Sequence, residues 1–402
     1  MSGWRLLLIV IASCLYTVTP LAANQGIDDP AQNQDNRPNI IFFLVDDLGW
    51  QDTSVAFGEP TGFQQHFRTP NLERLAASGV RFSNAYSCPV CTPTRASIMT
   101  GQNAARHRIT NWTLHKDKDS SGKTDRLEAP REWRREGLQP GDPFLARILR
   151  DAGYTTIHCG KAHWGAIDTP GSDPLQLGFD INIAGHAAGA PGSYQGMKNF
   201  GNEADGQRKT PWGVPGLETY HGTETHLTDA LTIEAAKALE AAVAKRKPFF
   251  LWMSHYAVHT PIEPHGRFLD AYTNRNFAGT EIKIEPKEAQ YASMVAGIDA
   301  SLGTLLQQLE KLGVAENTLI VFTSDNGGLS AHARQSTWQG TGANSHIWPL
   351  REGKGSAYDG GTRVPLVVSW AKTAIDSANQ RNYPVAANHK CNVPMICEDH
   401  FP

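Results

Sequence analysis

The chain has 402 residues, 40% of them hydrophobic and 19% charged, with 10 Trp and 15 Phe. That is enough apolar material for a large core, and it excludes disordered, collagenous and coiled-coil classes. Lys and Arg number 37 against 40 Asp and Glu, a net charge of −3, so no global field recruits nucleic acid or an acidic membrane, and an anionic substrate must be met locally.

Arg5, the apolar run Leu6 to Cys14 and the small residues Ala22 and Ala23 read as an export signal over 1–23, which implies a periplasmic or secreted protein. Ile11-Ala12-Ser13-Cys14 also resembles a bacterial lipobox, so the alternative is a lipid anchor at Cys14. Residues 24–36 are a polar linker, and 37–402 form one catalytic domain. Ile40 to Val45 is a continuous apolar run suited to a strand buried on both faces. Thr69 and Pro70 read as the N-cap and first position of a helix with Leu72, Leu75 and Ala76 on one stripe; Gly79 stops it before a strand from Val80 to Tyr86. The helix–strand alternation recurs as Phe144 to Leu149 then Tyr154 to Cys159, and as about Asp229 to Lys245 then Phe249 to Ser254. A last copy has apolar residues at helical spacing from Tyr291 to Leu309, then Leu319 to Thr323. This rhythm predicts an α/β fold, a mostly parallel central sheet between helix layers. Residues 103–141 and 166–225 break it and read as binding loops.

Asp46-Asp47 and Asp325-Asn326 each end a predicted strand. Sites in parallel sheets form at the carboxyl ends of strands, so the four side chains are expected to converge. Three carboxylates together repel unless a cation lies between them, and an all-oxygen donor set favours Ca²⁺ or Mg²⁺ over zinc. The six Cys, at positions 14, 88, 91, 159, 391 and 397, lack a zinc-ligand spacing. Cys391 and Cys397 could pair in an oxidising compartment, although no distance follows from sequence.

The sharpest motif is Cys91-Thr92-Pro93-Thr94-Arg95, continuing Ala96-Ser97-Ile98-Met99-Thr100-Gly101. It resembles the C-x-P-x-R signature of the type I sulfatases, of alkaline-phosphatase-like architecture. Further segments follow in that family's order: Arg37 to Gly49 with the acidic pair, Gly153 to His163 with Ala162 in place of the usual aromatic residue, Tyr256 to Pro261, Ser324 to Gly327, and Lys354 to Pro365 with Asp359 where Glu is commoner.

The resemblance implies hydrolysis of sulfate esters, on a sulfated carbohydrate. Cys91, oxidised to 3-oxoalanine (formylglycine) by a maturation enzyme, would be nucleophile and metal ligand, with Asp46, Asp47, Asp325 and Asn326 completing the Ca²⁺ or Mg²⁺ site. Arg95 would hold the aldehyde hydrate, Lys161 and Lys354 the sulfate oxygens. His259 and Lys354 would protonate the leaving oxygen, and His163 would take the hydrate's second proton; His255 reads as structural. His107, Arg108, Asn111, Trp112, His115, His186, Tyr194, Trp212 and His221 are candidates for sugar contacts. Family members continue past the segment matching Val393 to Pro402 with an antiparallel subdomain, so this sequence reads either as a fragment or as a chain that has lost it. The rivals are a phosphonate or phosphate-ester hydrolase of the same superfamily and an inactive binder of sulfated glycans.

Overall fold

The apolar run after Pro38 forms β1 (Asn39–Val45), and its side chains alternate between two cores. Ile41, Phe43 and Val45 enter one apolar cluster, Phe42 and Leu44 the other, as a strand sandwiched between helix layers requires. The structure is a computed structural model that describes residues 36–59, 65–121, 129–203, 205, 210–276, 281, 283–329 and 349–401. The expected leader, Cys14 and all but the last linker residue lie outside them. Among the described residues no helix is long and apolar enough to cross a membrane.

In chain order the other strands are β2 (Val80–Phe82), β3 (Ala85–Tyr86), β4 (Thr155–Gly160), β5 (Ile181–Ile183), β6 (Phe249–Ser254), β7 (Thr318–Ser324), β8 (Leu366–Trp370), β9 (His389–Cys391) and β10 (Met395–Ile396). The main helices are α1 (Pro70–Ala77), α2 (Cys91–Thr100), α3 (Leu145–Asp151), α4 (Leu227–Ala244) and α5 (Pro286–Lys311). The large sheet runs β5-β4-β6-β1-β7-β8-β2-β9, with β10 beside β3 in a separate pair. Only β8 runs antiparallel to its neighbours, β7 and β2, so the expected mostly parallel α/β sheet is present. Helices α1, α4 and α5 contribute buried residues to the first core, α2 and α3 to the second.

Two local expectations are corrected. The predicted strand Val80–Tyr86 is broken at Ser83-Asn84, where Ser83 N donates to Cys391 O at 3.0 Å and Arg363 Nε to Ser83 O at 2.8 Å. Its first piece, β2, lies between β8 and β9, far from β1. Thr69 does not cap α1 with its side chain, which is engaged with Ser54. Asp299 of α5 accepts from Asn71 N at 3.1 Å and Leu72 N at 2.9 Å instead.

Register aligns the ends of the central strands. Leu44 pairs with Ser254, Val45 with Ser324, and Gly160 with Ser254, so the residues following β1, β4, β6 and β7 emerge together at one sheet edge.

Candidate active site

Four segments meet at that edge. After β1, Asp46 and Asp47 are fully buried, and Asp47 takes the left-handed conformation at φ 60°. Such backbone is unfavourable for a non-glycine residue and needs support. Asp47 N donates to Asp325 Oδ1 at 3.2 Å, and Asn326 Nδ2 donates to Asp47 Oδ1 at 2.7 Å. The two acidic pairs, 278 residues apart, are thus hydrogen-bonded to each other.

Basic groups interleave with these acids. Lys161 Nζ lies 2.5 Å from Asp46 Oδ2, and Lys354 Nζ 2.7 Å from Asp47 Oδ1. Arg95 approaches Asp325 Oδ2 through Nε at 2.9 Å and Nη2 at 2.8 Å, and its Nη1 donates to Lys161 O and Ser254 Oγ. Arg95 ties α2 to Asp325 and to the ends of β4 and β6. The side chains of Arg95 and Lys161 have no exposed surface, whereas Lys354 and His259 expose 20% and 18%. The site has a sealed floor and an open rim.

The cation expectation can be tested on the donors. Asp46 Oδ1 and Asn326 Oδ1 are buried acceptors without a hydrogen-bond partner, an arrangement that costs free energy unless something fills it. Burial, and next Asp325, push the Asp46 carboxyl well above its usual range; burial acts likewise on Asp47, but Lys354, His259 and Lys161 outweigh it and hold that carboxyl low. Buried, unfilled oxygens beside three carboxylates fit a hard divalent ion. Among the described residues, ligand atoms of Asp46, Asp47 and His259 lie within 4.8 Å of one another. Asp325 also accepts from Arg95 and Asp47 N.

Cys91 opens α2, every residue of which is buried. Its thiol is raised by burial, against the pull of Lys161 and Lys354. Cys91 Sγ lies 3.3 Å from His163 Nδ1. His163 Nε2 lies 3.0 Å from Thr113 O, and a carbonyl only accepts, so the ring proton is on Nε2 and the Nδ1 lone pair faces Cys91. Burial, then Lys161 and Arg95, hold the imidazole well below its usual range and therefore neutral. His163 is itself left-handed at φ 57°, with its N–H on His186 O at 3.3 Å.

His259 is oriented in the opposite sense. Its Nδ1 lies 2.7 Å from Thr260 O, so in the neutral ring Nε2 is an acceptor, 3.7 Å from Asp47 Oδ2. Burial and then Lys354 depress its pKa to about 3. His255 lies in the first core, 2.9 Å from Ser301 Oγ.

A sulfatase family model matches residues 38–389 of this chain. The chain belongs to the sulfatase family. The N-acetylgalactosamine-6-sulfatase of Mus musculus is 31% identical over 341 residues, covering 83% of this chain and 57% of that protein. A sulfatase of Formosa agariphila is 28% identical over 88% of this chain and 66% of its own length. The crystal structure of Ps i-CgsB in complex with k-i-k-neocarrahexaose superposes with a TM-score of 0.66 at 30% identity, covering 91% of this chain and 70% of that one. This chain spans less than two thirds of the length of those curated relatives.

Several sugar-contact candidates have other employment in this chain. His107 is buried against Ser97, His186 hydrogen-bonds Tyr256, and Tyr194 is fully buried with its hydroxyl 2.6 Å from Tyr256 O and 2.9 Å from His259 O. Trp112 remains 39% exposed, one residue before the carbonyl that orients His163. Two contributors escape sequence reasoning. Thr113 acts through its backbone, which no side-chain pattern reveals. A Cβ on Gly189 would come within 2.5 Å of His163 Nδ1; its only signal is membership of a Gly-rich loop.

Proposed function

We propose that this chain hydrolyses sulfate esters carried on a carbohydrate. The observation that carries this reading is the neutral acceptor nitrogen of His163 aimed at residue 91, beside a buried cluster of three acids and three bases. The names of relatives support the ester and its carrier: an N-acetylgalactosamine-6-sulfatase, and a protein crystallised with k-i-k-neocarrahexaose. Cys91 would be oxidised to formylglycine by a maturation enzyme, supplying a hydrated aldehyde whose hydroxyl attacks sulfur. His163 Nδ1 accepts a proton at residue 91. Lys354, on the rim, meets the ester oxygens and carries a proton for the departing alkoxide. Arg95 and Lys161, on the floor, hold Asp325 and Asp46 in place. Asp46, Asp47, Asp325 and Asn326, with the matured residue 91, would hold a divalent cation, Ca²⁺ or Mg²⁺, which would supply positive charge and Lewis acidity at the ester. Residues 1–23 support export to the periplasm or beyond, or tethering through a lipid on Cys14.

The test runs the matured protein on 4-nitrophenyl sulfate, 4-nitrophenyl phosphate and a sulfated oligosaccharide in parallel, with peptide mass at residue 91. Sulfate release with aldehyde at 91 is expected. Faster phosphate release would favour the phosphorus-ester rival, and glycan binding without turnover over an unmodified thiol would favour the binder.

A further inference from the structure

Behind the nucleophile, two other thiols lie on neighbouring segments. Tyr86 of β3 pairs with Ile396 of β10, which brings half-buried Cys88 and buried Cys397 into the same apolar cluster as Ile98 and Met99 of α2. Both segments are held. Cys88 N lies 2.9 Å from Thr94 Oγ1, and the turn Cys397–His400 is closed by Ile396 N donating to Asp399 Oδ2 at 2.9 Å. Phe401 covers Gly101 at the far end of α2, so closely that a Cβ on that glycine would meet its ring at 2.7 Å. Cys391, the pairing partner considered from sequence, is engaged in β9 beside Phe82.

We propose that Cys88 and Cys397 form a disulfide that staples the C-terminal segment to the start of the nucleophile helix. The oxidant is an external disulfide, from a thiol–disulfide oxidoreductase or oxidised glutathione. The Cys88 thiolate attacks one of its sulfurs and releases one thiolate; the Cys397 thiol then gives up its proton, attacks the Cys88 sulfur and releases the second. Two protein thiols are oxidised while one external disulfide is reduced to two thiols. The order follows from acidity: the neighbouring Cys397 side chain holds the Cys88 thiol below its usual range, while Cys88, with burial, holds Cys397 high.

The bond has a consequence for residue 91. Cys88-Pro89-Val90-Cys91 is a C-x-x-C sequence entering a helix, a setting in which the two sulfurs readily join. Such a bond would consume the thiol that maturation needs. With Cys88 committed to Cys397, Cys91 stays a free thiol facing His163.

The full chain is incubated with oxidised glutathione, its remaining thiols are alkylated, and it is digested without reduction. A peptide pair joining Cys88 to Cys397 is expected, absent in Cys397→Ser and retained in Cys391→Ser, with the oxidised protein melting several degrees above the reduced one. Alkylated Cys88 and Cys397, or a Cys391–Cys397 or Cys88–Cys91 link in the wild type, would overturn the proposal. If Cys397→Ser does not fold, the wild-type map alone decides. Mapping reads sulfur connectivity and not turnover, so its failure is distinct from failure of the sulfatase reading.

Discussion

His163 gives the site its direction. One ring nitrogen is fixed by Thr113 O, so the other must face residue 91 as an acceptor, and burial keeps the ring neutral. His163→Ala is therefore expected to lower kcat by about 10²- to 10⁴-fold with KM little changed; steady-state kinetics with an aryl sulfate check this, and an unchanged kcat would remove His163 from the reaction. Gly189→Ala pushes a methyl group into the same ring and should lower kcat without reducing formation of the aldehyde at 91, read by peptide mass. Lys161→Ala leaves Asp46 buried without its cation, a change of about 3 to 5 kcal/mol in stability by denaturant titration. Much of this was legible residue by residue. Cys91, Arg95, Lys161, His163, His259 and Lys354 come together as their motifs imply. What was not legible is orientation: that His259 turns its proton to Thr260 O, and that Arg95 is occupied by Asp325, are matters of three-dimensional hydrogen bonding that residue identity does not encode.

Elements were read well where one face or both are apolar and poorly where the partner is distant. β1 and β6 follow from unbroken apolar runs, and α5 from its helical period. The cap of α1 did not follow, since it comes from Asp299, 228 residues away from Asn71. Removing it with Asp299→Ala should cost about 1 to 2 kcal/mol. Burial pushes the Asp299 carboxyl up to about 6, against the pull of the Leu72 and Asn71 N–H groups. The folded chain then binds a proton that the unfolded chain, titrating near 4, has released. Stability should fall as pH rises from about 4 to about 6. Asp299→Asn should flatten that slope in melting curves taken across the window, and a slope of equal size in the variant would remove Asp299 as its source. α2 was missed as a helix because Pro93 and the run of small polar residues carry no amphipathic stripe; it is buried on all sides and so has none to show.

At the scale of the molecule, a nearly neutral surface charge leaves recognition of an anion to one locus. There Arg95, Lys161 and Lys354 are each paired with an acid, Asp325, Asp46 and Asp47, so these bases are already engaged and an anionic ester needs further positive charge. A divalent ion on the unfilled oxygens of Asp46 and Asn326 would supply it. Exhaustive chelation should abolish turnover and lower Tm, since only the folded chain assembles the site, and Ca²⁺ or Mg²⁺ should restore both; full activity in chelator would contradict this. The most direct measurement compares inorganic sulfate released from a sulfated oligosaccharide by the matured wild type and by Cys91→Ala. Multiple turnovers by the first and a rate at least about 10³-fold lower in the second are expected. Equal rates would mean that the chemistry does not occur at residue 91.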